Sequence, residues 1–316
     1  MELKKFVAPF DALEALDCIE KIFGVEERLL EECQLSGSEA AYNTDIVYLA
    51  YEKETLLGMI HATIPCHAPY LAGLSAMFTT EAARGKGIGS LLFERMVDEI
   101  SARGVRLSVL GTSNPVAAKL YTNYGFGFCP GSHVMARFSE GHMVDFVRDY
   151  YRTMVGKAEV IRGNPSMRIP IVPLVLQNEF GLILDMNANI FNTSIVTERS
   201  CMGLFPRYEA IRIGGGEYYM AFDEVGTLGA VCSVSPQENS FFRGDFFALP
   251  SFKSVIPDMI RTIEEDFTNV YFEIAESDKG KAEYLKENGL IATGEGCCKM
   301  GEMAVNTVKY RRESSK

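Results

Sequence analysis

Nowhere does the 316-residue sequence approach the roughly 18 consecutive apolar residues that a membrane-spanning helix needs, so a soluble protein without a membrane partner is expected. No secretory leader is expected, since Met1-Glu2-Leu3-Lys4-Lys5 runs straight into an alternating, strand-like stretch, and cytoplasmic residence is expected by default. The eight cysteines, at 18, 33, 66, 129, 201, 232, 297 and 298, form no C-x-x-C pair, which argues against a redox motif and for reduced thiols. Cys297 and Cys298 are adjacent, but neighbours in a strand point to opposite faces and ligate one ion poorly. Four histidines (His61, His67, His133, His142) make neither H-x-x-x-H nor H-E-x-x-H, so no metal is expected. Cations are scarce too. With 31 Lys and Arg against 42 Asp and Glu, the net charge of -11 argues against nucleic acid as a partner. Nothing in the sequence speaks to oligomeric state.

What is present is the composition of a globular protein, 47% apolar and 23% charged, at a length that favours two domains. Residues 4–8 read as a strand ending at Pro9, followed by a helix carrying Leu13, Leu16, Ile19, Ile22 and Phe23 at helical spacing, and a second helix over 25–33. Residues 45–52 and 56–64 read as a hairpin, and 71–78 as a strand leading through Thr79, Thr80 and Glu81 into a glycine-rich turn. An amphipathic helix follows, with Ile88, Leu92, Met96 and Ile100 on one face. Next come a strand near 105–110, a helix capped by Asn114 with Pro115 at its first position and ended by Gly125, and strands to about Phe138.

The order of elements then restarts. Residues 142–155 read as a helical bridge, giving a first domain over 1–140, a helical linker over 141–166 and a second domain over 167–316, opened by a strand at 168–172. A shift of 171 positions lays Tyr48, Ala50, Leu57, Gly58 and Pro65 over Tyr219, Ala221, Leu228, Gly229 and Pro236. A shift of 164 lays Asn114, Ala118, Gly125 and Phe126 over Asp278, Ala282, Gly289 and Leu290. A tandem duplication is expected, of class α/β (α+β): two mixed β-sheets flanked by helices.

In the turn Arg84-Gly85-Lys86-Gly87-Ile88-Gly89, backbone N–H groups and the positive end of the following helix converge, which suits a diphosphate. Neither the P-loop spacing nor the G-x-G-x-x-G dinucleotide spacing is present. Arg84-x-x-Gly87-x-Gly89 resembles the [RQ]-x-x-G-x-[GA] signature of the GNAT superfamily of N-acetyltransferases. Asn114, Ala117, Tyr121, Gly125 and Phe126 match that superfamily's second motif. The resemblance covers about residues 3–138 and implies a GNAT-like sheet in each half, with acetyl-CoA between two splayed parallel strands at 71–78 and 105–110. It further implies that backbone groups of Met77, Phe78 and Thr79 meet the pantetheine and thioester, and that Arg84, Gly85, Lys86, Gly87, Ile88, Gly89 and Ser90 hold the diphosphate. Asn114, Ala117 and Tyr121 would border the cofactor, Asn114 fixing the attack geometry and Tyr121 protonating the departing thiolate. Asn114 also reads as a plain helix cap and Tyr121 as a buried core tyrosine.

The base that deprotonates the acceptor amine is not singled out. Glu81, His61, Glu26 and Glu27 are the candidates, a lone strand histidine being more often a core residue. In the second half Leu249-Pro250-Ser251-Phe252-Lys253 replaces the glycine-rich turn and Leu285 replaces Tyr121, so that copy is expected to lack cofactor chemistry and to shape or stabilise the acceptor pocket. The expected function is acetyl transfer from acetyl-CoA to a primary amine of a small molecule or peptide, with one CoA per chain. A non-catalytic acyl-CoA sensor or structural partner, or a transferase using a larger aminoacyl donor, is the alternative.

Overall fold

The computed structural model describes residues 1–139, 154–176, 181–300 and 303–313. Seven strands form the first sheet: β1 (Glu2–Val7), β2 (Asn43–Glu52), β3 (Thr55–Pro65), β4 (Leu71–Thr79), β5 (Leu107–Gly111), β6 (Gly127–Phe128) and β7 (Val134–Phe138). Their order is β1-β2-β3-β4-β5-β7-β6, and only the β4–β5 pair is parallel. Helices α1 (Leu13–Phe23) and α2 (Val25–Leu35) lie between β1 and β2 in the chain, α3 (Ile88–Ala102) follows β4 and α4 (Pro115–Thr122) follows β5. The apolar face read from α3 is buried, with Ile88, Leu92, Met96 and Ile100 against the sheet.

The second half repeats this plan strand for strand. It contains β8 (Glu159–Arg162), α5 (Ile171–Leu176), the short pair β9 (Ile183–Asp185) and β10 (Ile190–Phe191), α6 (Leu204–Ile213), β11 (Glu217–Phe222), β12 (Leu228–Pro236) and β13 (Phe242–Ala248). After these come α7 (Ile256–Asp266), β14 (Val270–Ala275), α8 (Lys279–Glu287), β15 (Leu290–Met300) and β16 (Met303–Arg312). The sheet order β8-β11-β12-β13-β14-β16-β15 matches the first sheet position by position, again with one parallel pair, β13–β14. Both shifts found in the sequence join equivalent residues. A bulge follows Ala50 in β2 and Ala221 in β11. Asn114 caps α4 and Asp278 caps α8, while Gly125 and Gly289, at φ 87° and 78°, end those helices in the left-handed region.

Two boundary expectations need correction. The second sheet starts at β8, inside the segment expected to be a helical linker, and residues 168–172 are not its first strand. Those residues follow a 3-10 turn (Pro165–Met167) and enter α5. Ile169, Ile171, Val172, Leu174 and Val175 are all buried, and an apolar run buried on every side has no periodicity to separate strand from helix. Most of the expected bridge, 142–155, lies outside the described residues; 154 and 155 are not helical.

The halves share a core. Leu71, Leu107, Val109, Val134 and Ala136, on the face of the first sheet opposite α3, pack with Met167, Ile169, Ile171, Met202 and Leu204. At roughly 1.5–3 kcal/mol for each large apolar side chain, parting the halves would be costly. Polar contacts register the two surfaces: Arg168 forms a buried pair with Glu39 while its guanidinium stacks 4.6 Å from the Phe205 ring, and Asn43 Nδ2 donates to the Pro165 carbonyl at 3.1 Å. No helix among the described residues is long and apolar enough to cross a membrane.

Candidate active site

The site begins with an irregularity in β4. Met59 pairs with Phe78 and His61 with Ser75, so Ala76 and Met77 together oppose Ile60: a β-bulge with Ala76 at φ 45°. On its other edge β4 pairs with β5 only from Leu71–Leu107 to Leu74–Leu110, and beyond Leu74 the strands part. The bulge bends β4 just where pairing stops, opening a V-shaped gap and leaving the backbone of 76–78 without a β5 partner.

The gap runs into a groove of about 660 Å³ lined by Met77, Phe78, Thr79, Arg84, Gly85, Gly87, Ile88, Gly89, Ser90, Asn114, Ala117 and Tyr121. Of the residues singled out for the cofactor, only Lys86 is not on this wall. Ile22, Phe23 and Val116 add an apolar rim. Gly87 is the N-cap of α3 at φ 78°, a conformation costing other residues about 1–2 kcal/mol, and α3 has no side-chain cap. Its first-turn N–H groups therefore remain available for an anion. Arg84 and Lys86 are exposed and make no ion pair among the described residues.

Asn114 does cap α4: its Oδ1 accepts from Val116 N at 2.9 Å and Ala117 N at 3.4 Å. Its Nδ2 makes no hydrogen bond to protein among the described residues. Tyr121 is buried, stacks on Phe93 with centroids 4.7 Å apart, and still borders both the groove and the cavity beyond it. Burial pushes its phenol up to about 12, so it stays protonated at neutral pH.

Past Tyr121 the groove meets a cavity of about 280 Å³, whose walls include Phe23, Glu27, Ile60, Ser75, Thr112 and, from the second half, Ser200, Cys201 and Met202. Sequence reasoning did not find these last three, because nothing in a Ser-Cys-Met triplet marks it as reaching the other domain's cleft. Behind the wall His61 is wholly buried, with Nδ1 2.7 Å from Glu31 Oε2 and Nε2 3.0 Å from Asp45 Oδ1. Burial alone would lower the imidazole; the Glu31 charge and the Asp45 and Glu31 hydrogen bonds overcome it and raise it to about 10. Burial likewise pushes the Asp45 carboxyl up, but His61 and Thr63 reverse this and hold it low. His61 is thus a buried imidazolium with no acceptor to spare, which removes it from the candidate bases. Glu81 sits in the 3-10 turn before Arg84 and Glu26 is exposed; neither lines the cavity, whereas Glu27 does. Burial, then the neighbouring Glu31, raise the Glu27 carboxyl above its ordinary range.

Residues 43–127 match the family profile described as an acetyltransferase (GNAT) domain. The matched residues run from the start of β2 to the start of β6 and include the glycine-rich turn and α4. Similar solved structures include an acetyltransferase of the GNAT family from Staphylococcus aureus Mu50, at 16% identity and TM-score 0.36, covering 44% of this chain and all (100%) of that one. Another is the yncA protein of Salmonella typhimurium with acetyl-CoA, at 10% identity and TM-score 0.37, covering 51% and 96%. The ribosomal-protein-S18-alanine N-acetyltransferase of Escherichia coli aligns at 18% identity and TM-score 0.32, covering 44% and 97%. No curated protein matches the chain.

In the second half the inner part of the equivalent groove is filled from within, while a pocket of about 350 Å³ bordered by Pro250, Lys253, Asp278 and Tyr284 remains at its outer end. β13 pairs with β14 only from Phe242–Val270 to Gly244–Phe272, so this sheet also parts, but β13 pairs with β12 without a bulge. The residue past the split, Asp245, is fully buried and takes a 2.6 Å ion pair from Lys281 of α8. Lys281 Nζ also donates to the carbonyls of Ile183 (3.1 Å) and Leu184 (2.7 Å), and Met186 N donates to Asp245 Oδ2 at 2.8 Å. Residues 183–186 therefore run between β13 and α8, the positions equivalent to the two groove walls of the first half. Burial pushes the Asp245 carboxyl up to about 6 despite Lys281. Pro250 begins a 3-10 helix where the first half has its glycine turn, and Leu285, in Tyr121's place, is buried.

Proposed function

We propose that the protein is an acetyl-CoA-dependent N-acetyltransferase acting on a primary amine, with its catalytic centre in the N-terminal half. The observation that carries this is the groove from the uncapped start of α3 along the bulged end of β4, which shares its Met77, Asn114, Ala117 and Tyr121 wall with the cavity behind it. Acetyl-CoA would supply the activated thioester. The amides of Ile88, Gly89 and Ser90, with Arg84, would hold its diphosphate; Lys86, off the groove wall, would contribute long-range charge.

The backbone left unpaired beyond Leu74 offers fixed donors where the acetyl oxygen gains charge, and fixed dipoles in a dry site stabilise such charge best. Glu27 accepts the proton that the acceptor ammonium must lose before its nitrogen can form the new C–N bond. Tyr121 donates to the sulfur as the C–S bond breaks, a role suited to a phenol that stays protonated. Asn114, held by its own cap, offers Nδ2 to the bound cofactor. One such diphosphate site among the described residues implies one CoA per chain, and a cytoplasmic reaction is the natural setting.

The test is CoA release against an amine panel, with wild type beside Tyr121→Phe and Gly87→Glu. Turnover that falls in both variants supports the reading. Acetyl-CoA binding without turnover of any acceptor indicates a sensor, and no binding of acetyl-CoA would mean a different donor.

A further inference from the structure

The inner cavity carries information on the acceptor that goes beyond a generic primary amine. Its charge is net negative: Glu27 lines it, the His61–Glu31–Asp45 cluster behind it bears one cation against two carboxylates, and no Lys or Arg lines it among the described residues. Much of the remaining wall is apolar, including Phe23, Ile60, Leu110 and Met202.

The second half also fixes the β6–β7 loop of the first. His133 N donates to Glu198 O at 2.8 Å and Glu198 N to Gly131 O at 3.1 Å, so the second half holds the loop in two places. Packing is tight as well: a methyl group added at Gly131 would lie 2.0 Å from the Thr193 carbonyl oxygen. Next to this loop, Gly111 at the end of β5 lies against Cys201, with 3.4 Å between an added Cβ and the Cys201 amide. At about 280 Å³ the space falls just below the usual 300–1,000 Å³ or so of small-ligand sites, and it must also receive the acetyl end of the donor.

We infer that the acceptor is a small primary amine without a carboxylate, its ammonium received by Glu27 and its apolar remainder by the wall that Met202 completes. A substrate carboxylate would face Glu27 with no Lys or Arg on the wall among the described residues to pair with it. A peptide would need more room than the cavity of about 280 Å³ leaves beside the acetyl group. The second half is thus a part of the acceptor site and the element that limits substrate size. This inference rests on the acetyl-transfer reading of the same cavity.

The experiment measures acetyl-CoA-dependent CoA release with matched acceptors: 2-phenylethylamine against phenylalanine, isoamylamine against leucine, and an alanine-initiated hexapeptide. Wild type and Glu27→Gln are compared, with acetyl-CoA affinity measured by calorimetry in both. Each amine is expected to exceed its amino acid and the peptide by at least about 100-fold in kcat/KM. Glu27→Gln should lower kcat/KM for the amines by a similar factor while acetyl-CoA affinity stays within about twofold. Preferred turnover of the amino acids or the peptide, or an unchanged Glu27→Gln, would overturn the inference and leave the transferase standing. Absence of turnover with every acceptor would instead remove the transferase reading, and this one with it.

Discussion

Between β4 and β5 the pairing ends at Leu74–Leu110 and the space beyond is an open groove; between β13 and β14 it ends at Gly244–Phe272, and the space beyond holds Asp245, Lys281 and residues 183–186. Sheet order, the single parallel pair and the caps of the following helices are the same in both halves. Besides the missing bulge, the lost glycine turn and Leu285, the halves differ in one connection. In the first half α1 and α2 are joined at Gly24 alone, whereas the α5–α6 connection extends over 177–203. Its described part fills the second half's own gap with 183–186, holds the β6–β7 loop through Glu198, and ends at Ser200, Cys201 and Met202 in the first half's cavity. A duplicated sheet can therefore give up its own site and become a wall of its neighbour's through a single lengthened loop.

The largest expected effect separates the halves by chemistry. Tyr121→Phe should lower kcat by about 10²–10⁴-fold with acetyl-CoA affinity nearly unchanged, because the proposed general acid is lost and the packing on Phe93 is kept. Single-turnover kinetics beside calorimetry read this directly, and an unchanged kcat would return Tyr121 to the core.

Next in size is the ion pair that closes the second half. Lys281→Ala leaves Asp245 buried, uncompensated and facing Asp185, and should cost about 3–5 kcal/mol in urea unfolding. Lys281→Met with Asp245→Leu should recover most of that, since an apolar pair leaves no charge behind. If the double variant is no more stable than Lys281→Ala, the pair does more than fill space.

The first half's buried charge cluster predicts a pH dependence instead. The His61 imidazolium is raised from about 6.5 in the unfolded chain to about 10, so its stabilisation is complete below pH 6.5 and is lost as pH rises through 10. The stability advantage of wild type over His61→Gln should therefore be largest near pH 6 and shrink steadily by pH 10. An advantage that grows with pH would mean a neutral imidazole.

The smallest effect sharpens the contrast most. Leu285→Tyr gives the second half the tyrosine its counterpart has, yet should create no second acetyl-CoA site, because 183–186 still occupy the gap. A second site seen by equilibrium dialysis would show that the side chain, and not the filled space, keeps that half silent.

Much of this was legible in the sequence. The two shifts matched residues that prove equivalent, down to the bulge after Ala50 and Ala221 and the caps at Asn114 and Asp278, because bulges and caps depend on local residue type. The glycine turn and the Asn114–Tyr121 helix were readable for the same reason. The plug at 183–186, the reach of 200–202 and the partners of His61 were not, since each depends on contacts between distant segments that leave no periodic or spacing signal. Residues 168–172 misled because an apolar run buried on all sides fits a strand as well as the helix it enters.

The central claim is that one sheet of the pair holds the donor and the other is closed by its own chain. Calorimetric titration with acetyl-CoA tests it most directly. One site per chain, abolished by Gly87→Glu in the α3 cap and untouched by Lys281→Met with Asp245→Leu, is the predicted result. Two sites, or a single site indifferent to Gly87→Glu, would contradict it.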